Sequence, residues 1–174
     1  MTSASTTVPT TTDYAGTWNL DTAATTIEFH TKAMLVVNVK GTLKAVSGTG
    51  TIGADGTVHG TLVIDATSVD TKINKRDAHL RTADFLHTAL YPTIDFEATG
   101  GRLLKSAKAE LTGLLTIRGQ TRPVVVVGDV HTDETSLTLT AEIDDLDRRD
   151  WGVSKAAMGP SARNRIIIRA RFTK

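Results

Sequence analysis

A two-residue alternation of apolar and polar side chains restarts, segment after segment, along nearly the whole chain, and it constrains the fold more than any other feature. Near the C-terminus, Asn164, Ile166, Ile168, Ala170 and Phe172 fall on one face, with Arg165, Ile167, Arg169 and Arg171 on the other. Successive side chains of a strand point to opposite sides of a sheet, so this parity predicts a strand with one buried face. The same parity groups Leu62, Ile64 and Ala66; Ile94, Phe96 and Ala98; Ala109, Leu111, Gly113, Leu115 and Ile117; and Leu137, Leu139, Ala141 and Ile143. Trp18 with Leu20, and Ile27 with Phe29, are shorter instances. Gly41, Gly48 and Gly50 interrupt the long stretch from Met34 to Ile52, where they mark bulges or sharp bends. Asp55-Gly56 and Gly119-Gln120 are turn signals.

About eight strands result, most joined by turns short enough for antiparallel neighbours. Two packed sheets and one closed barrel both satisfy this pattern. The glycine bends and long strands favour the barrel, an all-β antiparallel eight-stranded β-barrel. With about eight strands, such a barrel has an interior that side chains just fill, or that holds one small ligand.

At 174 residues the chain suits one domain. Residues 1–15 are Thr/Ser-rich without periodicity and read as a disordered tail, leaving 16–174 as the barrel domain. A net charge of +1 gives no electrostatic support for a nucleic-acid partner. The chain has no cysteine, which excludes disulfides and thiolate chemistry. No apolar run is long enough for a transmembrane segment. The N-terminus lacks the basic start and apolar run of a secretory signal, so the expected location is cytoplasmic.

Residues 72–90 break the alternation and read as a helical insert. Asn74 with Asp77 three positions on resembles a capping box. Leu80, Ala83, Phe85 and Leu86 offer a docking face, and Pro92 follows the segment. Two roles fit. The insert plugs one barrel end, or its apolar side lines a pocket while Arg76, Asp77 and His79 meet a polar head group. The same three residues also suit an ion-pair network that pins the insert. An enzymatic alternative uses Asp77 and His79 as an acid–base pair on a lipid-like substrate. No nucleophile elbow or phosphate-cradling loop accompanies them. The five histidines show no His-x-His or His-x3-His spacing, so no metal site is expected.

Thr67-Ser68-Val69-Asp70-Thr71, Arg76-Asp77-Ala78-His79-Leu80, Asp84-Phe85 and Tyr91-Pro92-Thr93-Ile94-Asp95-Phe96, in that order, resemble the YceI family. So do Trp18-Asn19-Leu20-Asp21, the stretch from Leu111 to Val124, and Arg148-Arg149-Asp150-Trp151-Gly152-Val153. The likeness spans about residues 16–173. Two departures stand out: many relatives are secreted, and Trp151 takes a place where Phe is commoner. The resemblance implies a lipocalin-like barrel around a hydrophobic tunnel, with the insert at residues 72–90. It implies non-enzymatic binding, transport or storage of a long-chain amphiphile: an isoprenoid quinone, a polyprenyl lipid or a fatty amide. No cofactor is required beyond that bound isoprenoid or fatty chain. The expected wall residues are Phe29, Met34, Leu80, Phe85, Phe96, Leu115 and Trp151, with Arg76, Asp77 and His79 near the head group. A structural barrel filled by side chains is a further alternative. The outward stripe of Arg165, Arg169 and Arg171 makes a homodimer possible.

Overall fold

The computed structural model describes residues 14–33, 36–155 and 162–174. Nine strands follow the alternation: β1 (Gly16–Leu20), β2 (Thr26–Ala33), β3 (Val37–Ile52), β4 (Val58–Asp70), β5 (Thr93–Leu104), β6 (Lys108–Ile117), β7 (Gln120–Thr132), β8 (Ser136–Asp147) and β9 (Arg163–Thr173). All neighbours are antiparallel, and the order β1-β3-β2-β9-β8-β7-β6-β5-β4 closes through β3–β4 and β1–β9 pairing. β1 and β2 both lie between β3 and β9, end to end, and together fill one position of the wall. The result is a closed barrel with eight positions, and closure leaves no sheet edge to protect.

Turn chemistry explains the meander. The β3–β4 turn closes through Gly53 N donating to Thr57 O, with Gly56 at φ +86°. The β6–β7 turn places Arg118 and Gly119 at φ +51° and +71°, the left-handed pair that a two-residue hairpin favours. Register slips against β4 occur at Thr42/Lys44 and Ala45/Ser47, and bend the longest strand around the barrel.

The hairpin turns β3–β4, β5–β6 and β7–β8 gather at one end of the barrel. The β4–β5 insert, the β6–β7 turn and the β8–β9 connection gather at the other. Each end has its own buried cluster. Ile27, Leu62, Ile64, Ile94, Leu115, Leu146 and Trp151 belong to the insert end and middle; Tyr14, Trp18, Ala109, Val130 and Leu137 belong to the hairpin end. The tail boundary drawn at residue 15 lies too late, because Tyr14 is only 2% exposed and packs into the hairpin-end cluster.

Within the insert, only α1 (Asn74–Leu80) is helical; Arg81–Leu90 continues as turns closed by bonds such as Leu86 N to Leu80 O and Tyr91 N to His87 O. The capping box does not form: the N-cap is Ile73, with no side-chain cap. The Asp77 carboxylate instead reaches back to Thr71, where it accepts two hydrogen bonds.

Candidate functional site: an apolar cavity inside the barrel

One continuous cavity of about 230 Å³ runs through the barrel, from Ile117, Val124, Ile143 and Ile166 near the insert end to Trp18, Ile52, Leu137 and Phe172 near the hairpin end. That is many times the roughly 10–15 Å³ one water needs, and just below the ~300–1,000 Å³ of common ligand pockets. Phe29, Leu43, Phe96, Ile117, Leu139, Ile143, Ile166 and Ile168 line it while staying only partly buried. Side chains that fill a close-packed core would be covered on all sides. These have free surface because the space they face is open.

Two phenylalanine rings are drawn aside into the wall. A Cβ added at Gly41 would lie 2.1 Å from the Phe29 ring, and one at Gly113 would lie 2.6 Å from the Phe96 ring. The glycines give each ring a place over a neighbouring strand, which leaves the lumen clear.

Aromatic side chains stand at both ends. At the hairpin end, Trp18 Nε1 donates to Tyr14 O at 2.9 Å. Lys174 Nζ donates to Ala15 O and sits 4.8 Å from the centre of the Trp18 ring. At the insert end, the 3-10 turn Arg148–Trp151 carries Trp151, whose Nε1 donates to Leu115 O at 2.8 Å. Phe85 is buried beside it, with the His79 ring edge-on at 5.0 Å and the Arg148 guanidinium 5.6 Å from its centroid. Arg118 Nη1 donates to Phe85 O. Burial lowers the Arg148 pKa from its ordinary value, and Asp147 beside it offsets part of that effect.

A polar clamp holds the insert to β4. Thr71 donates through N (2.8 Å) and Oγ1 (2.5 Å) to the buried Asp77 carboxylate. Arg76 donates to Thr71 Oγ1 at 2.7 Å and to Thr71 O at 3.0 Å. Arg81 reaches Thr67 O and Val69 O. Nearer the surface, Asp84 joins the insert to the chain after the 3-10 turn, through His79 Nε2 at 2.9 Å and Lys155 Nζ at 3.4 Å. The His79 bond, aided by Lys155, holds the Asp84 carboxyl below its usual range.

Of the residues expected at a ligand wall, Phe29, Phe96 and Leu115 line the cavity. Phe85 and Trp151 are buried in the cap beyond it, and Leu80 is half-buried at the end of α1. Met34 lies outside the described residues. Arg76 and Asp77 are engaged in the clamp, and His79 bonds Asp84, so neither member of the suggested acid–base pair faces the cavity. Tyr14, Val124, Val126, Ile166 and Ile168 also line the cavity and were not singled out. Strand parity already placed Ile166 and Ile168 on an apolar face, but which apolar faces border empty space is not written in parity.

A closed antiparallel barrel with a helical insert and an apolar interior is the architecture of lipocalin-like binding proteins. The YceI-like domain model matches residues 18–173, and the chain belongs to that family. The YceI protein of Escherichia coli O6:H1 is 45% identical over 65 residues, covering 37% of this chain and 34% of that protein. A UPF0312 protein of Ectopseudomonas mendocina is 40% identical over 65 residues, again 37% of this chain and 34% of the relative. The matched stretch thus spans about a third of each of these relatives. Among solved structures, Burkholderia cenocepacia BcnA superposes with a TM-score of 0.80 at 20% identity, covering 87% of this chain and 98% of that one. A polyisoprenoid-binding domain from Saccharophagus degradans gives 0.66 at 16% identity, covering 90% and 97%. At these identities the likeness to the solved structures is one of fold.

Proposed function

We propose that this protein binds and carries or stores a slender amphiphile with a long apolar tail, without turning it over. Candidate ligands are an isoprenoid quinone, a polyprenyl lipid or a fatty amide. The carrying observation is the continuous apolar cavity, whose lining side chains are left partly exposed. Membership of the YceI-like family supports the same reading, as does the likeness in fold to a domain described as polyisoprenoid-binding.

The dimensions suit such a tail. The 12 residues of β8, at roughly 3.3 Å each and tilted by about 40°, span about 30 Å along the barrel axis. A chain laid along that axis gains about 25 cal/mol per Å² of apolar surface removed from water. Affinity therefore comes from the tail, and few polar contacts are needed at the head.

Native mass spectrometry of freshly purified protein, followed by organic extraction, tests the proposal. The expected result is a stoichiometric adduct of isoprenoid or fatty-chain mass, or uptake of one on titration. At a hundredfold excess over the dissociation constant the ligand should stabilise the fold by about 2.7 kcal/mol. An apo mass with no uptake and no rise in melting temperature would return the barrel to a purely structural role. Chemical conversion of the bound compound would move the protein to the enzymes.

A further inference from the structure

Gly50 faces the cavity with nothing opposite it. It sits on β3 directly across from Trp18 on β1 and Gly60 on β4. Direct partners of an antiparallel pair share a face, and Trp18 is buried inside the barrel, so a side chain at position 50 would point inward. A Cβ built there meets no heavy atom within 4 Å.

Its neighbours are glycines for a different reason. A Cβ at Gly60 would lie 2.6 Å from Thr49 O, and one at Gly48 would lie 2.9 Å from Thr61 O. Backbone already fills those places. Gly50 is neither crowded nor at positive φ. Glycine weakens a strand interior, so local structure alone gives no reason for it here. What its missing side chain leaves is lumen. That lumen lies one inward position from Ile52, beside the aromatic floor formed by Tyr14, Trp18 and Phe172.

Resting on the carrier reading above, we propose that Gly50 is a specificity-determining residue that sets how long a tail the barrel accepts. The terminal segment of the tail packs against the bare backbone at Gly50, beside Trp18 in the hairpin-end floor. The preferred ligands are then amphiphiles whose tails run the full length of the barrel. Shorter chains leave this region empty and gain nothing from it.

A length series of polyprenols (geraniol, farnesol, geranylgeraniol and solanesol) tests this on the wild type, Gly50→Ala and Gly50→Leu. Binding is read by native mass spectrometry and competition titration, with a thermal melt to verify folding. The wild type should favour the longest chains that fit. Gly50→Leu should keep the short polyprenols within about twofold and lose about tenfold or more on the longest chain the wild type takes. Each methylene excluded from the cavity forfeits about fourfold in affinity. Gly50→Ala should fall between. Should Gly50→Leu not fold, Gly50→Val makes the same comparison with a side chain suited to strands. An unchanged length profile in the folded variant overturns the proposal, and so does an equal loss at every length. A wild type that takes up no polyprenol, quinone or fatty amide overturns the carrier reading itself and the length gauge with it. That outcome is distinguishable because it needs no variant.

Discussion

The insert and the barrel wall divide the molecule's chemistry unevenly. The insert holds Arg76, Asp77, His79, Arg81 and Asp84, a dense run of ionisable groups set between alternating strands. Those groups bond mainly to one another and to the β4 backbone: Asp77 to Thr71, Arg81 to Thr67 and Val69, His79 to Asp84. The wall holds unremarkable Val, Ile and Leu, and these border the cavity. Charge density therefore marks a fastening here. Short helices have little stability of their own, and the 7 residues of α1 need these tertiary bonds to hold their place. The region suited to a function is the one that looks plain in sequence, because an apolar ligand asks only for apolar surface and room.

The widest break in that contrast would come from placing a charge in the wall. Leu115→Asp puts a carboxylate among apolar side chains with no partner, and should cost well over ~3 kcal/mol in urea unfolding and abolish ligand uptake. A stable, ligand-competent Leu115→Asp would mean water reaches that face freely.

Asp77→Ala comes next. It leaves the buried Thr71 amide and hydroxyl without their shared acceptor, and should cost about 3 kcal/mol. Ligand affinity of the folded protein should stay within about twofold. Lost affinity at unchanged stability would instead give Asp77 a direct part in binding.

Ile168→Ala sharpens the other side of the comparison. Truncating a close-packed isoleucine costs about 2–5 kcal/mol, but Ile168 already faces open space, so its truncation should cost only about 1 kcal/mol. A measured loss near the top of the packed range would mean the interior is filled.

The smallest effect is electrostatic, with one contribution from each end. Asp133, in the β7–β8 turn, accepts from Ser136 Oγ and from the Thr135 and Ser136 amides, which lower its pKa from 3.8 to about 2. Asp147, which caps the 3-10 turn, is lowered from 3.8 to about 2, first by its Arg149 bond. Both folded-state values lie below the unfolded one, so their stabilisation is present above about pH 4 and is lost as pH falls towards 2. Asp133 is exposed, so solvent screens its share, whereas the Asp147 side chain, 14% exposed beside Arg149, is screened less. Acid titration of the melting temperature should show a shallow decline over that window. Asp133→Asn and Asp147→Asn should each flatten it, and a slope indifferent to both would place the acid sensitivity elsewhere.

Much of the barrel was legible beforehand. Parity assigned the inward faces of β4, β5, β6, β8 and β9, and the turn signals at Asp55-Gly56 and Gly119 fell where hairpins form. The insert was legible as a break in parity, but its helix is shorter than residues 72–90, because the turns after Leu80 pack Leu86 against the core cluster that includes Trp151. Asn74 did not cap because Asp77 found a better-placed donor in Thr71, a contact made only once β4 leads into α1. Phe29, Phe96 and Leu115 were readable as wall residues from their inward faces; Phe85 and Trp151 point just as firmly inward and belong to a cap.

Taken alone, the sequence determines about eight antiparallel strands, each with one apolar face, interrupted by one insert, since alternation and turn residues are properties of each short segment. Tertiary structure decides that β1 and β2 share one place in the wall, that the insert is clamped by Thr71 and Asp77, and that the interior stays hollow beside Gly50. Hollowness depends on how far eight curved faces stand apart and where each ring finds room. Those distances are set by closure of the whole sheet, which brings together residues more than a hundred positions apart.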